Sequence, residues 1–168
     1  MRIMTALSVL ATATLTGCGG FINEGPTNQE IEDTTGLTVA EATPIVEHNL
    51  ALVWPQQVTI KRGPLPYSGV GCRTNDSMMS EGPPWRLRIT KEQMNPSQEF
   101  IDRAMANLEA MTARGFALEP NRRPDAVPAD RYYRDPRGYT ISSSLDTDVG
   151  PTKEVRFSMT ATSPCAAE

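Results

Sequence analysis

Residues 85–89 read Trp85-Arg86-Leu87-Arg88-Ile89, and after six intervening residues comes Pro96-Ser97-Gln98-Glu99-Phe100-Ile101-Asp102-Arg103-Ala104-Met105-Ala106-Asn107-Leu108-Glu109-Ala110-Met111. The first stretch alternates with a period of two. It predicts a strand with Trp85, Leu87 and Ile89 on a buried face and Arg86 and Arg88 on the opposite one. In the second, Phe100, Ile101, Ala104, Met105, Leu108 and Met111 recur at three- and four-residue steps. Glu99, Asp102, Arg103, Asn107 and Glu109 fall on the other side, which predicts an amphipathic helix. Asn95 as cap, Pro96 in first position and Gln98 at capping-box spacing mark its start. Arg114 near the carbonyl end and Gly115 as a left-handed exit mark its stop, so the helix is expected over 96–114. A half-buried strand followed directly by an amphipathic helix points to an α+β domain.

The C-terminal third adds strands. Phe116-Ala117-Leu118 begins a short one, and Glu119 to Asp130, with three prolines and Arg122-Arg123, reads as a long exposed loop. Tyr132-Tyr133-Arg134 and Tyr139 to Leu145 flank Asp135-Pro136-Arg137-Gly138, the order of a type I turn with a glycine exit, so a hairpin is expected. Asp146 to Pro151 reads as the next turn. Its D-x-D-x-G spacing lacks the further oxygen ligands and distal Glu of a calcium loop, and no metal site is expected there. Val155, Phe157, Met159 and Ala161 alternate along a final strand ending just before Cys165.

Towards the N-terminus, Val39, Ala42, Val46, Leu50 and Val53 form one helical face over 38–53, with Thr38 and Glu41 at capping-box spacing. Pro44 sits badly inside that helix. The other start compatible with the sequence has Thr43 as cap and Pro44 in first position, and both leave a helix through at least Pro44–Val53. Val58-Thr59-Ile60-Lys61 reads as a strand, and the run from Arg73 to Pro84 as a polar loop with Met78 and Met79 inside it. His48 is the one histidine, lies off the apolar stripe and has no metal-ligand spacing around it. The expected fold is an antiparallel sheet of about five strands with two helices on one face and the other face open.

The first 18 residues are of another kind. After Arg2, residues 3–15 carry no charge and are too few to span a membrane, which takes about 20 apolar residues. A charged start, a short apolar run and a small-residue exit make a signal peptide. An ordinary one is cut after an A-x-A-like site, which Ala11-Thr12-Ala13 supplies. Leu15-Thr16-Gly17-Cys18, however, resembles the lipobox of bacterial lipoprotein precursors at every position. That resemblance implies cleavage after residue 17, a diacylglycerol on the Cys18 sulfur, and a place on the extracytoplasmic side of the cell membrane. Residues 1–17 are then the signal, 18–36 the lipidated cysteine and a flexible Gly-, Thr- and acid-rich tether with a reach of roughly 20 to 25 Å, and 37–168 one domain.

Once Cys18 is given to lipid, Cys72 and Cys165 remain as an even pair in an oxidising setting, and a disulfide is expected. Removal of the signal takes Arg2 and no acid, so 15 basic residues face 20 acidic ones, a formal charge of −5. No basic run suggests nucleic acid. Anchoring of so acidic a chain falls to the acyl chains, at about 0.8 kcal/mol per buried methylene. More widely, the layout resembles the small actinobacterial lipoproteins of the mycobacterial LppA type. The common features are the lipobox cysteine, an acidic spacer, a mid-chain Cys72 after a glycine, a helix ending near Gly115-Phe116, and a last strand ending Ser163-Pro164-Cys165. The likeness implies a cell-envelope location and carries no catalytic residues with it.

The chain has no G-x-S-x-G, no H-E-x-x-H and no phosphate-cradling glycine loop. No catalytic residue, cofactor or metal ligand is therefore assigned. Carboxylate-only chemistry needs two acids converging in a cleft, which spacing alone neither makes nor excludes. Two functions are expected to compete. One is a non-enzymatic tethered module contacting an envelope protein through Arg86 and Arg88 on the open sheet face, or through Arg122 and Arg123 in the 119–130 loop. The other is a carrier that holds a lipid or small apolar molecule between helices and sheet, suggested by eight methionines.

Overall fold

The computed structural model describes residues 25–59, 69–121 and 127–168. The lipobox and Cys18, Ile60 and Lys61 of the expected first strand, and Arg122-Arg123 lie outside them. In chain order come α1 (Asn28–Thr34), α2 (Val39–Val53), β1 (Val70–Thr74), β2 (Ser80–Met94), α3 (Gln98–Ala110) with a 3-10 turn at Met111–Arg114, β3 (Ala117–Leu118), β4 (Arg131–Arg134), β5 (Thr140–Val149) and β6 (Glu154–Ala166). The class is the expected α+β. Among the described residues the sheet has six antiparallel strands in the order β1-β2-β6-β5-β4-β3, and there are three α-helices, against about five strands and two helices expected.

The extra helix, α1, falls in the stretch read as a tether. Thr27 and Glu30 form a capping box, and Ile31 is buried. The backbone N–H of Glu168 donates to the Asn28 side chain, tying this helix to the far end of the chain. Gly25, ahead of this helix, packs so closely on Cys72 that a Cβ there would run into the Cys72 carbonyl.

Helix α2 uses the earlier of its two possible starts. Thr38 caps it in a capping box with Glu41, and Pro44 is accommodated inside. Ala42, Val46, Leu50 and Val53 are fully buried. Burial of a Val or Leu side chain stabilises by about 1.5 to 3 kcal/mol, so three such residues outweigh a proline's cost of about 3 kcal/mol in the second helical turn. Helix α3 starts two residues later than expected, because Ser97 and not Asn95 is its cap, accepting from the Phe100 N–H. Asn95 instead has φ +46°, which an N-cap cannot have, and it closes the end of the sheet. Its amide donates to Glu154 and its side-chain carbonyl accepts from the Val155 N–H. Gly115, at φ +88°, is the left-handed exit.

The polar loop expected from Arg73 to Pro84 is a hairpin of β1 and β2, turning at Asn75–Met79. Prolines argue against a strand because they cannot donate to the ladder. Here Gly71 pairs with Trp85 and Arg73 with Glu81, so Cys72 alone opposes Gly82, Pro83 and Pro84. The prolines occupy a bulge and no ladder donor is missed. On the other flank of β2, Arg86 pairs with Cys165 and Arg88 with Thr162, which leaves Ser163 and Pro164 opposite Leu87. The buried Ser163 hydroxyl accepts from the Leu87 N–H at 2.9 Å, replacing the backbone acceptor lost to that bulge. Other expectations shift as well. Val58 and Thr59 belong to no strand, and β5 runs on through Asp146–Val149, so the turn into β6 comes at Gly150–Lys153.

Cys72 and Cys165 form the disulfide, with Cα atoms 6.0 Å apart. They lie on β1 and β6, which flank β2 on opposite sides. Two strand spacings in a flat sheet would put them about 9 to 10 Å apart. The two bulges curl the sheet enough for the sulfurs to meet, and Cys165 lies within β6 and not beyond its end.

One face of the sheet receives the helices. Ile89, Ala161, Ile141 and Tyr133 form a row straight across β2, β6, β5 and β4. With Leu87, Phe157 and Met159 they pack against Val46, Leu50, Val53, Ala104, Leu108 and Met111. Trp54 and Phe100 meet edge to face at 5.2 Å, and Phe100 reaches Phe157 in the same way at 6.2 Å.

Candidate functional site

The other face of the sheet presents the alternate residues of the same strands, and their register makes two straight rows. In one, Arg88 on β2 pairs with Thr162 on β6, Thr162 with Thr140 on β5, and Thr140 with Arg134 on β4. In the next, Thr90, Thr160, Ser142 and Tyr132 stand side by side. Two arginines thus bracket a pair of threonines, and hydroxyls fill the neighbouring row. Pairing partners point to the same side of a sheet, so this arrangement follows from register alone.

A trough of about 570 Å³ lies over these rows. Arg86, Arg88 and Arg134 line it with Thr140, Ser142, Thr160 and Thr162, and among the described residues no carboxylate lines it. Thr140 and Thr160 form a buried floor, and the Thr90 and Thr160 hydroxyls share a hydrogen bond at 2.9 Å. At the β2 end the Arg86 guanidinium reaches the Cys165 sulfur at 3.7 Å, so the disulfide forms part of the wall. At the β4 end Arg134 donates to Glu119 at 2.6 Å and to the Tyr132 hydroxyl at 3.0 Å. The Glu119 bond raises the Arg134 pKa further above its ordinary value. Three arginines, one of them paired with Glu119, concentrate positive groups on this part of a chain of net charge −4.

Charge reverses farther along the same face. Arg156 is held by Asp146 at 2.9 Å and approaches Glu92 at 3.8 Å, while Asp148 lies 4.0 Å from Lys153. The Asp146 and Asp148 carboxylates, which in sequence faintly suggested a calcium loop, are therefore engaged by cations. Among the described residues no group of three or more His, Cys, Asp or Glu side chains is placed to hold a metal. His48 is exposed on α2, beside a surface groove of about 440 Å³ that Ile45, Leu52, Arg114 and Arg137 help to line. No helix among the described residues is long and apolar enough to cross a membrane.

Arg86 and Arg88, expected on the open face, lie there together. Arg122 and Arg123 fall outside the described residues, but the flanks of their loop are tied down. The Asp130 carboxylate accepts from the Leu145 N–H, the Ser143 hydroxyl donates to the Ala129 carbonyl, and the Asn121 amide donates to the Asp130 carbonyl. Sequence reading missed Arg134, Tyr132 and the four floor hydroxyls. A signal for the hydroxyls was present in the alternation Phe157, Met159, Ala161 against Ser158, Thr160, Thr162. What placed them beside Arg88 and Arg134 was the pairing of strands far apart in the chain.

Comparison with known protein families, curated proteins and solved structures finds no match to this chain.

Proposed function

We propose that this chain is a lipoprotein of the cell envelope, anchored by lipid on Cys18 to the extracytoplasmic side of the cell membrane, and that it works as a non-enzymatic interaction module. The lipobox resemblance supports the anchor. A Cys72–Cys165 disulfide suits an oxidising compartment. The observation that carries the module reading is the outer sheet face, where Arg86, Arg88 and Arg134 line one trough together with the hydroxyls of Thr140, Ser142, Thr160 and Thr162. Its partner is another envelope component and not nucleic acid, because the charge is local and the molecule as a whole is acidic. The carrier reading finds less support, since the layer between helices and sheet is occupied by the chain's own side chains, Leu50, Leu108, Phe157 and Met159 among them.

The test is photo-crosslinking in intact cells, with the reactive group placed at Ser142 on the outer face or at Glu109 on the helical side. The module reading expects a discrete adduct from position 142 that is absent from position 109. Equal, diffuse labelling from both would count against it. The mass of the membrane-extracted chain tests the anchor separately, the expected result being a start at Cys18 with a diacylglycerol attached.

A further inference from the structure

We infer that the trough on the outer sheet face is a binding site for the phosphate group of a phosphorylated polyol or saccharide. The inference rests on the module reading and names the chemistry of what the face takes. Arg86, Arg88 and Arg134 line one trough from both ends, and planar guanidinium groups are suited to the paired oxygens of a phosphate. Between them the floor is Thr140, Ser142, Thr160 and Thr162, hydroxyls able both to donate and to accept. This combination matches an oxyanion whose remaining body is also hydroxylated.

Two other occupants fit less well. A protein partner is normally seated by a central aromatic or aliphatic anchor in an apolar pocket, and this floor offers hydroxyls instead. A phospholipid headgroup brings acyl chains, and among the described residues the aliphatic part of the lining amounts to Val70 and Pro164. Glu119 occupies part of the Arg134 fork, so an arriving phosphate shares or displaces that carboxylate. The acid is then a competitor built into the rim, and its neutralisation strengthens binding.

The experiment is an amide-shift titration of the full chain in non-ionic detergent with glycerol 3-phosphate, with glycerol as control. The expected result is saturating shifts at Thr140, Ser142, Thr160 and Thr162 with glycerol 3-phosphate alone. Arg88→Ala or Arg134→Ala weakens binding about tenfold, the scale of a charge-assisted hydrogen bond, and Glu119→Gln tightens it. The inference is overturned by shifts no larger than those from glycerol. It is equally overturned by a well-dispersed Arg86→Ala/Arg88→Ala/Arg134→Ala variant that binds as the native chain does, or by shifts that only phosphatidylglycerol in the micelle produces. A crosslinked neighbour at position 142 without glycerol 3-phosphate binding removes the phosphate assignment and leaves the module reading in place.

Discussion

Tyr139 shows how a single side chain is placed at a cost. It follows the β4–β5 turn, where the buried Asp135 carboxylate accepts from the Tyr139 and Arg137 N–H groups and from the Arg137 guanidinium. That network holds the ring inside, with Arg137 stacked 5.0 Å from its centroid. The phenol hydroxyl has no hydrogen-bond partner among the described residues. Burial pushes its pKa above the ordinary 10.0, aided by Asp135 and Glu41 and opposed by Arg137. A raised folded-state pKa means that the neutral ring is favoured in the fold. Its contribution is complete below pH 10.0 and is lost as pH rises through the folded value. Tyr139→Phe should therefore raise stability at neutral pH by about 1 kcal/mol, the lower end of the cost of an unsatisfied buried hydroxyl. It should also flatten the alkaline limb. Urea unfolding at pH 7 and above pH 10 checks both, and a clear destabilisation at pH 7 would mean that the hydroxyl has a partner.

At the scale of elements, the two N-terminal helices are started by the same device. Thr27 with Glu30 and Thr38 with Glu41 each satisfy two orphan N–H groups reciprocally. In both, the backbone N–H of the threonine is the chief cause that holds the glutamate pKa below its ordinary 4.5, with the threonine hydroxyl second. A lowered folded-state pKa contributes stability above pH 4.5 that is lost as pH falls through the folded value. A Glu30→Gln/Glu41→Gln variant should show a shallower fall of the unfolding midpoint on acidification than the native chain. Denaturant titrations between about pH 5 and pH 3 measure it, and parallel curves would assign the acid sensitivity elsewhere. Thr38-x-x-Glu41 was legible because an apolar stripe follows it. Thr27-x-x-Glu30 has the same spacing but is followed only by Ile31, so a seven-residue helix was read as tether. It is held by its contacts with the end of the chain, which no local pattern announces. The β1–β2 hairpin was hidden for the opposite reason: Pro83 and Pro84 signalled a loop, and only the bulge opposite Cys72 reconciles them with a strand.

For the whole molecule, the disulfide closes a loop of 93 residues and joins the outermost hairpin strand to the central strand β6. Chain entropy assigns such a bridge about 4 to 5 kcal/mol, with delivered values often lower. A Cys72→Ser/Cys165→Ser variant is expected to lose about 2 to 5 kcal/mol in urea unfolding. Amide exchange should accelerate first in Val70–Thr74, since among the described residues β1 pairs only with β2, while the β5–β6 pairing lasts longer. Uniform acceleration across all six strands would instead place the bridge at the core of cooperative folding. The same sheet also divides the molecule by polarity. Apolar rows face the helices, and the rows of arginine and hydroxyl face the other way.

The amino-acid sequence by itself determined the α+β class, the buried stripes of α2 and α3, the Asp135–Gly138 hairpin, and the inward set Phe157, Met159 and Ala161. Each is a local periodicity or a turn chemistry within about 20 residues, and such patterns act before any distant contact forms. Only the tertiary structure decided that Arg88, Thr162, Thr140 and Arg134 share one row. Those residues come from four strands, and a slip of one residue in any pairing would turn that strand's members to the opposite face. Register across so long a span is set by burial of the apolar rows on the helical side. The trough is the outer counterpart of that packing, and no segment of the chain carries it alone.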